Sequence, residues 1–153
     1  MFQRILVPVD GSDASSHALS TAIGMARQSG GRLRLIHVLE DAAYLAGYDP
    51  TGAAAGELYR ASREGGERIL AADQARVHAE GVPVDTVFMD QLGQRLAQSV
   101  ADAAQQWGAD LVVVGTHGRR GISRLMLGSG AEEIIRLATV PVLVARQPAA
   151  AKP

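Results

Sequence analysis

The sequence contains no cysteine, which removes thiol catalysis, thiolate metal sites and disulfide scaffolds together. Lysine is nearly as scarce: among 15 basic residues the single lysine is Lys152, beside the C-terminus. A Walker A loop needs lysine directly before Ser or Thr, and a Schiff-base enzyme needs one in a packed pocket. Both classes are excluded. Any phosphate held by this chain must be held by backbone N–H groups, hydroxyls or arginine. No run approaches the ~18 apolar residues of a membrane span. The first residues lead straight into a strand pattern, so neither a membrane segment nor a leader is expected. Neither sign of charge is in excess, since 15 basic and 16 acidic residues leave a formal net charge of -1. A protein that blankets nucleic acid is far more basic, and no such partner is expected. Histidines at HExxH spacing and acidic clusters of metal-site type are missing too, so no intrinsic metal is expected. What remains is a soluble domain, expected in the cytoplasm.

What is present suits one core. A chain of 153 residues with 47% hydrophobic and 20% charged residues folds without disulfides or metal. Ile5-Leu6-Val7-Pro8-Val9 reads as a buried strand, and Asp10-Gly11-Ser12-Asp13 as a turn in which Ser12 or Asp13 caps the next helix. That helix carries Ala14, Ala18, Leu19, Ala22, Ile23 and Ala26 at steps of three and four and stops at Gly30-Gly31. A second strand covers 33–39, and a Gly/Pro-containing loop covers 41–52. Residues 54–80 form a long charged helix with i,i+4 pairs Arg60-Glu64 and Arg63-Glu67, read as a solvent face. Gly65-Gly66 inside it predicts a bend or a close contact. A third strand over 84–89 and a helix faced by Leu96, Val100, Ala103, Ala104 and Trp107 follow. The fourth strand, Leu111-Val112-Val113-Val114, precedes a glycine-containing segment, a helix over 131–138 and a fifth strand over 141–145. Residues 1–146 are read as one domain and 147–153 as a loose tail.

Strands and helices alternate, and the strands are apolar without clean period-two alternation. The fold expected is α/β: a three-layer, open, parallel five-stranded sheet with helices on both faces. Ligands of such sheets sit beyond the carboxyl strand ends, where the strand order reverses. Unusual residues gather at two of these ends, Asp10-Gly11-Ser12 after the first strand and Gly115-Thr116-His117-Gly118-Arg119-Arg120-Gly121 after the fourth. For both to serve one site, strands one and four must be neighbours, which predicts the order 3-2-1-4-5. Gly115 and Gly118 permit a turn with converging N–H groups. Gly128-Ser129-Gly130 precedes a helix whose first N–H groups and dipole attract anions.

The spacing Gly115-x2-Gly118-x9-Gly128-Ser129 resembles the nucleotide-binding pattern of the universal stress protein family. Arg4-Ile5-Leu6-Val7-Pro8-Val9-Asp10-Gly11-Ser12, Ile36-His37-Val38, the stretch from Ala109 to Gly118 and Val140-Pro141-Val142-Leu143-Val144 are similar to that family's strands one, two, four and five. The resemblance implies a Rossmann-like fold of the adenine nucleotide alpha hydrolase type, in the ATP-binding branch, with ATP and magnesium as ligands. It places Asp10 near the ribose and metal-bound phosphates, Pro8 and Val9 at the floor, and Val38 against adenine, with Ser12 also among the ligand-binding residues. Val114 and Gly115 would flank base and ribose, and His117, Gly118, Arg119, Gly128, Ser129, Gly130 and Ala131 would surround the phosphates. Gly130 departs from the pattern, which often has a branched residue there. The resemblance also favours a homodimer through the fifth strand, because Val140-Pro141-Val142-Leu143-Val144-Ala145 forms an edge without charge.

Plainer readings stand beside these. Asp10 is a ligand residue or a turn cap, and Ser129 a phosphate donor or a helix N-cap. His117 is positional rather than catalytic, His37 an interior histidine, and His17 and His78 are solvated. No catalytic residue is assigned. The leading function is an ATP-binding stress-response module signalling through loop order or partner affinity. Its alternatives are an ATP-using enzyme (slow hydrolysis or adenylyl transfer) and an interaction scaffold that binds no nucleotide.

Overall fold

Each apolar strand of this chain feeds two cores, because successive side chains leave opposite faces of the sheet. In the computed structural model, which describes residues 1–40, 52–91, 93–116 and 127–147, the strands are β1 (Arg4–Pro8), β2 (Arg32–Val38), β3 (Val84–Met89), β4 (Leu111–Gly115) and β5 (Val142–Ala145). Four helices connect them: α1 (Asp13–Ser29), α2 (Ala53–Ala79), α3 (Leu96–Trp107) and α4 (Ser129–Leu137). Every pairing is parallel, and the order is β3-β2-β1-β4-β5. Ile5, Val7, Leu33, Leu35, Leu111 and Val113 pack under α1 and α2. Leu6, Ile36, Val112 and Val114 pack under α3 and α4. The chain leaves β1 toward β2 and β3, then returns across the sheet to β4, so order reverses between β1 and β4.

Local chemistry sets the helix ends. The Ser12 hydroxyl accepts the Ser15 N–H at 3.2 Å and caps α1. Gly30 ends it at φ 67°, a left-handed conformation that glycine adopts without steric cost, and the Gly31 N–H returns to the Ala26 carbonyl at 2.9 Å. The close contact foreseen at Gly65-Gly66 is real at Gly66, where a Cβ would stand 2.5 Å from the His37 ring and 2.7 Å from Phe88. Glycine there lets α2 lie directly on the ring of a β2 residue. Arg63 pairs with Glu67 at 3.2 Å as foreseen, whereas Arg60 donates to the Gly56 carbonyl instead of meeting Glu64.

Three boundaries are corrected. The last helix starts at Ser129 rather than Ala131, so Ser129, Gly130 and Ala131 form its first turn. Gly128 is its N-cap and no side chain caps it, so the N-cap role considered for Ser129 falls away. The second strand begins one residue earlier than foreseen, at Arg32, and the fifth begins one later, because Pro141 has no N–H to give a ladder. His78 is exposed as foreseen, while His17 is half-buried. The loop foreseen over 41–52 and the tail over 147–153 lie, except for Gly52 and Gln147, outside the described residues.

Candidate functional site

Hydrogen bonds from several elements pin the end of β1. The Val9 N–H reaches the Ile36 carbonyl at 2.9 Å, continuing the β1–β2 ladder past the strand. His37, buried on β2, donates from Nδ1 to the Val9 carbonyl at 2.8 Å, since a carbonyl can only accept. The Asp10 N–H donates to the Ser15 hydroxyl at 3.2 Å, and an Asp10 carboxylate oxygen accepts the Ser12 N–H at 2.9 Å. Asp10 therefore does shape the turn, as its plainer reading foresaw. Its charge also reaches α2: burial raises the Asp73 carboxyl above the usual range, Arg76 opposes that rise, and Asp10 adds to it.

At the end of β4 close packing is visible at Gly115. A Cβ on Gly115 would stand 2.5 Å from the carbonyl oxygen of Ala14, so only glycine lets β4 run against the start of α1. The Gly128 N–H donates to the Thr116 carbonyl at 2.6 Å, which closes the β4 turn onto the α4 entry. The two glycine-bearing elements thus adjoin. From this junction α4 projects the N–H groups of its first turn, which have no acceptor within the helix.

A cavity of about 780 Å³ opens between these elements at the carboxyl ends of β1, β2 and β4. Every foreseen site residue among the described ones lines it: Pro8, Val9, Asp10, Ser12, Val38, Val114, Gly115, Gly128, Ser129, Gly130 and Ala131. His117, Gly118 and Arg119 lie outside the described residues. The floor is apolar beside Val38, Val9 and Ile36, and polar beside Asp10, Ser12 and Ser129. Among the described residues no group of three or more His, Cys, Asp or Glu side chains is placed to hold a metal ion.

Sequence reasoning missed one wall. Leu58, Ala61, Ser62 and Gly65 of α2 line the cavity, although this helix reads as a solvent face. The signal was available: small or apolar residues recur at i, i+3, i+4 and i+7 there, the stripe of one helix face. Arg95 and Leu96 at the start of α3 and Glu133 of α4 complete the rim. On the same stretch of α2, Tyr59 donates to an Asp90 carboxylate oxygen at 2.6 Å, and Arg63 reaches the same oxygen. The Tyr59 hydrogen bond, aided by Arg63 and opposed by desolvation, holds the Asp90 carboxyl below its ordinary value. No described helix is long and apolar enough to cross a membrane.

A family model described as the universal stress protein family matches residues 1–146. Universal stress protein YxiE of Bacillus subtilis is 30% identical, covering 95% of this chain and 100% of that protein. A solved universal stress protein from Burkholderia pseudomallei is 33% identical, with TM-score 0.75 and 97% of each chain covered. Two further structures share the fold. One, a universal stress protein in complex with cAMP, has TM-score 0.64 and 24% identity over 95% of this chain and 97% of that one. The other, from Archaeoglobus fulgidus in complex with dAMP, has TM-score 0.66 and 22% identity over 94% of this chain and 97% of that one.

Proposed function

The chain belongs to the universal stress protein family, and from that premise we propose that it is an ATP-binding regulatory module, a cytoplasmic homodimer rather than an enzyme. The observation that carries the reading is the junction of the two glycine-bearing elements around one cavity, closed by the Gly128 to Thr116 hydrogen bond. Its volume, about 780 Å³, lies inside the span of about 300–1,000 Å³ typical of small-molecule sites. Adenine lies against Val38, Val9 and Pro8, where burial of its faces is rewarded. Ribose passes Asp10 and Gly115. The phosphates meet the N–H groups of Ser129, Gly130 and Ala131 at the positive end of α4, and the Ser129 hydroxyl, freed from capping, adds a donor. Magnesium arrives with the phosphates, with Asp10 the carboxylate of the β1 turn. In the two solved complexes the ligands share an adenine moiety, which supports the adenine end of this reading.

The site does not need high affinity. Cellular ATP is millimolar, and a micromolar Kd, about -8 kcal/mol, fills the site. Calorimetry on the purified chain should give micromolar binding of ATP with magnesium, and mass spectrometry should find adenine nucleotide carried through purification. No heat with millimolar ATP would end the reading. Phosphate release faster than about 1 s⁻¹ would move it to an enzyme.

A further inference from the structure

We propose that, among the described residues, Arg95 is the charged side chain that meets ligand phosphate at the cavity rim, and that Glu133 holds it there until phosphate takes its place; this rests on the nucleotide-binding reading above. Among the described residues Arg95 is the only arginine or lysine lining the cavity. It occupies the N-cap of α3 with extended backbone, and its guanidinium, which carries only donors, cannot cap the helix N–H groups. The turn beneath it is fixed. Gln94 and Gln98 both donate to the Asp102 carboxylate, at 3.0 and 2.8 Å, and the Ser99 N–H returns to the Arg95 carbonyl at 3.0 Å.

Gly130 packs close to this turn. A Cβ on Gly130 would stand 3.2 Å from Leu96 Cδ2, so a side chain there would require Leu96 to shift slightly. Arg95 meets Glu133 at 3.6 Å, and both line the cavity. The electrostatics of that corner conflict. The α4 N-terminus attracts an anion, yet Glu133 presents a carboxylate to the same space. Polyphosphate entering it is repelled unless a cation neutralises Glu133 or meets the phosphate directly. Arg95 does the first in the free protein and the second in the complex. The exchange is easy because the Arg95 side chain is 82% exposed, and exposed pairs of this kind are weak. Arginine suits the second task, since its planar fork bonds phosphate oxygens in pairs.

The test is calorimetric titration of the full chain with ATP, AMP and adenosine across a salt series, for wild type, Arg95→Ala, Arg95→Lys and Glu133→Gln. A charge-assisted bond lost from a rim site should weaken ATP binding by Arg95→Ala about tenfold. AMP should lose less, and adenosine nothing. Arg95→Lys should recover part of the loss, and Glu133→Gln should tighten ATP binding. Wild-type ATP affinity should also fall more steeply with salt than that of Arg95→Ala. Equal losses for adenosine and ATP would mean a displaced wall and would overturn the proposal, as would unchanged ATP affinity in Arg95→Ala. A wild type that takes up none of the three ligands would instead overturn the nucleotide reading itself.

Discussion

Adjacent glycines on α2 do opposite things. Gly66 is pressed against His37 and Phe88, whereas a Cβ on Gly65 meets nothing within 4 Å. His37 cannot yield, because Nδ1 is tied to the Val9 carbonyl and its ring lies 5.6 Å from that of Phe88. Gly66→Ala should therefore destabilise the protein by about 1–3 kcal/mol, the usual cost of overpacking a filled interior. Gly65→Ala should be neutral or stabilising by up to about 1 kcal/mol, because alanine is the better helix former and the new methyl enters open space. Urea denaturation of both variants measures the contrast. Equal effects would mean that Gly66 is not in contact with the ring. The glycine pair itself is plain in the sequence as a place needing a bend or a contact. Which of the two makes contact depends on how α2 is rotated over β2, and no neighbour in the sequence encodes that rotation.

At the scale of elements, α2 is the least predictable part of the site. Its wall of Leu58, Ala61, Ser62 and Gly65 faces the cavity while a polar clamp ties the same helix to the end of β3. In that clamp Tyr59 and Arg63 converge on Asp90, and the Arg63 guanidinium lies 5.0 Å from the Phe88 ring centre. Asp90 has a folded-state pKa below its unfolded one, so the clamp is fully formed above the ordinary carboxylate range. It is lost as acid takes the pH down through the depressed value. Carbon NMR titration should place the Asp90 midpoint below that of an unperturbed aspartate. Tyr59→Phe removes the largest cause, so its midpoint should rise toward the ordinary value. An unmoved midpoint would show that Tyr59 does not hold the carboxylate. The other helices were more legible. The first announces itself through Ser12 and Gly30, while the last starts two residues early because Gly128 accepts the cap position with extended backbone and no side-chain bond.

Among the described residues, β5 lies at one edge of the sheet and pairs with β4 alone. Val142, Leu143 and Val144 are half-buried in the single chain, and an uncharged edge of this kind invites a second copy. Under the homodimer proposal, sedimentation of the wild type should give about twice the 16.0 kDa chain mass. Leu143→Arg should sediment as a monomer. Circular dichroism verifies that the variant folds, since Leu143 also packs against the core beneath α1. A folded variant that remains dimeric would place the interface elsewhere. The adjacency of β1 and β4, expected if the two strand-end turns serve one site, is observed.

The sequence by itself determined the alternation of strands and helices, the strand order, the cap and stop of α1, and the β1 and β4 turns as candidate walls. All but the strand order depend on residues within a few positions of one another, where capping, turn chemistry and periodicity act; the order came from requiring that the β1 and β4 turns serve one site. Tertiary structure alone decided that Gly66 seats on His37 and that Arg95 meets Glu133. Such contacts join residues tens of positions apart. Their geometry is set by the packing of whole helices on a twisted sheet, which no local pattern records.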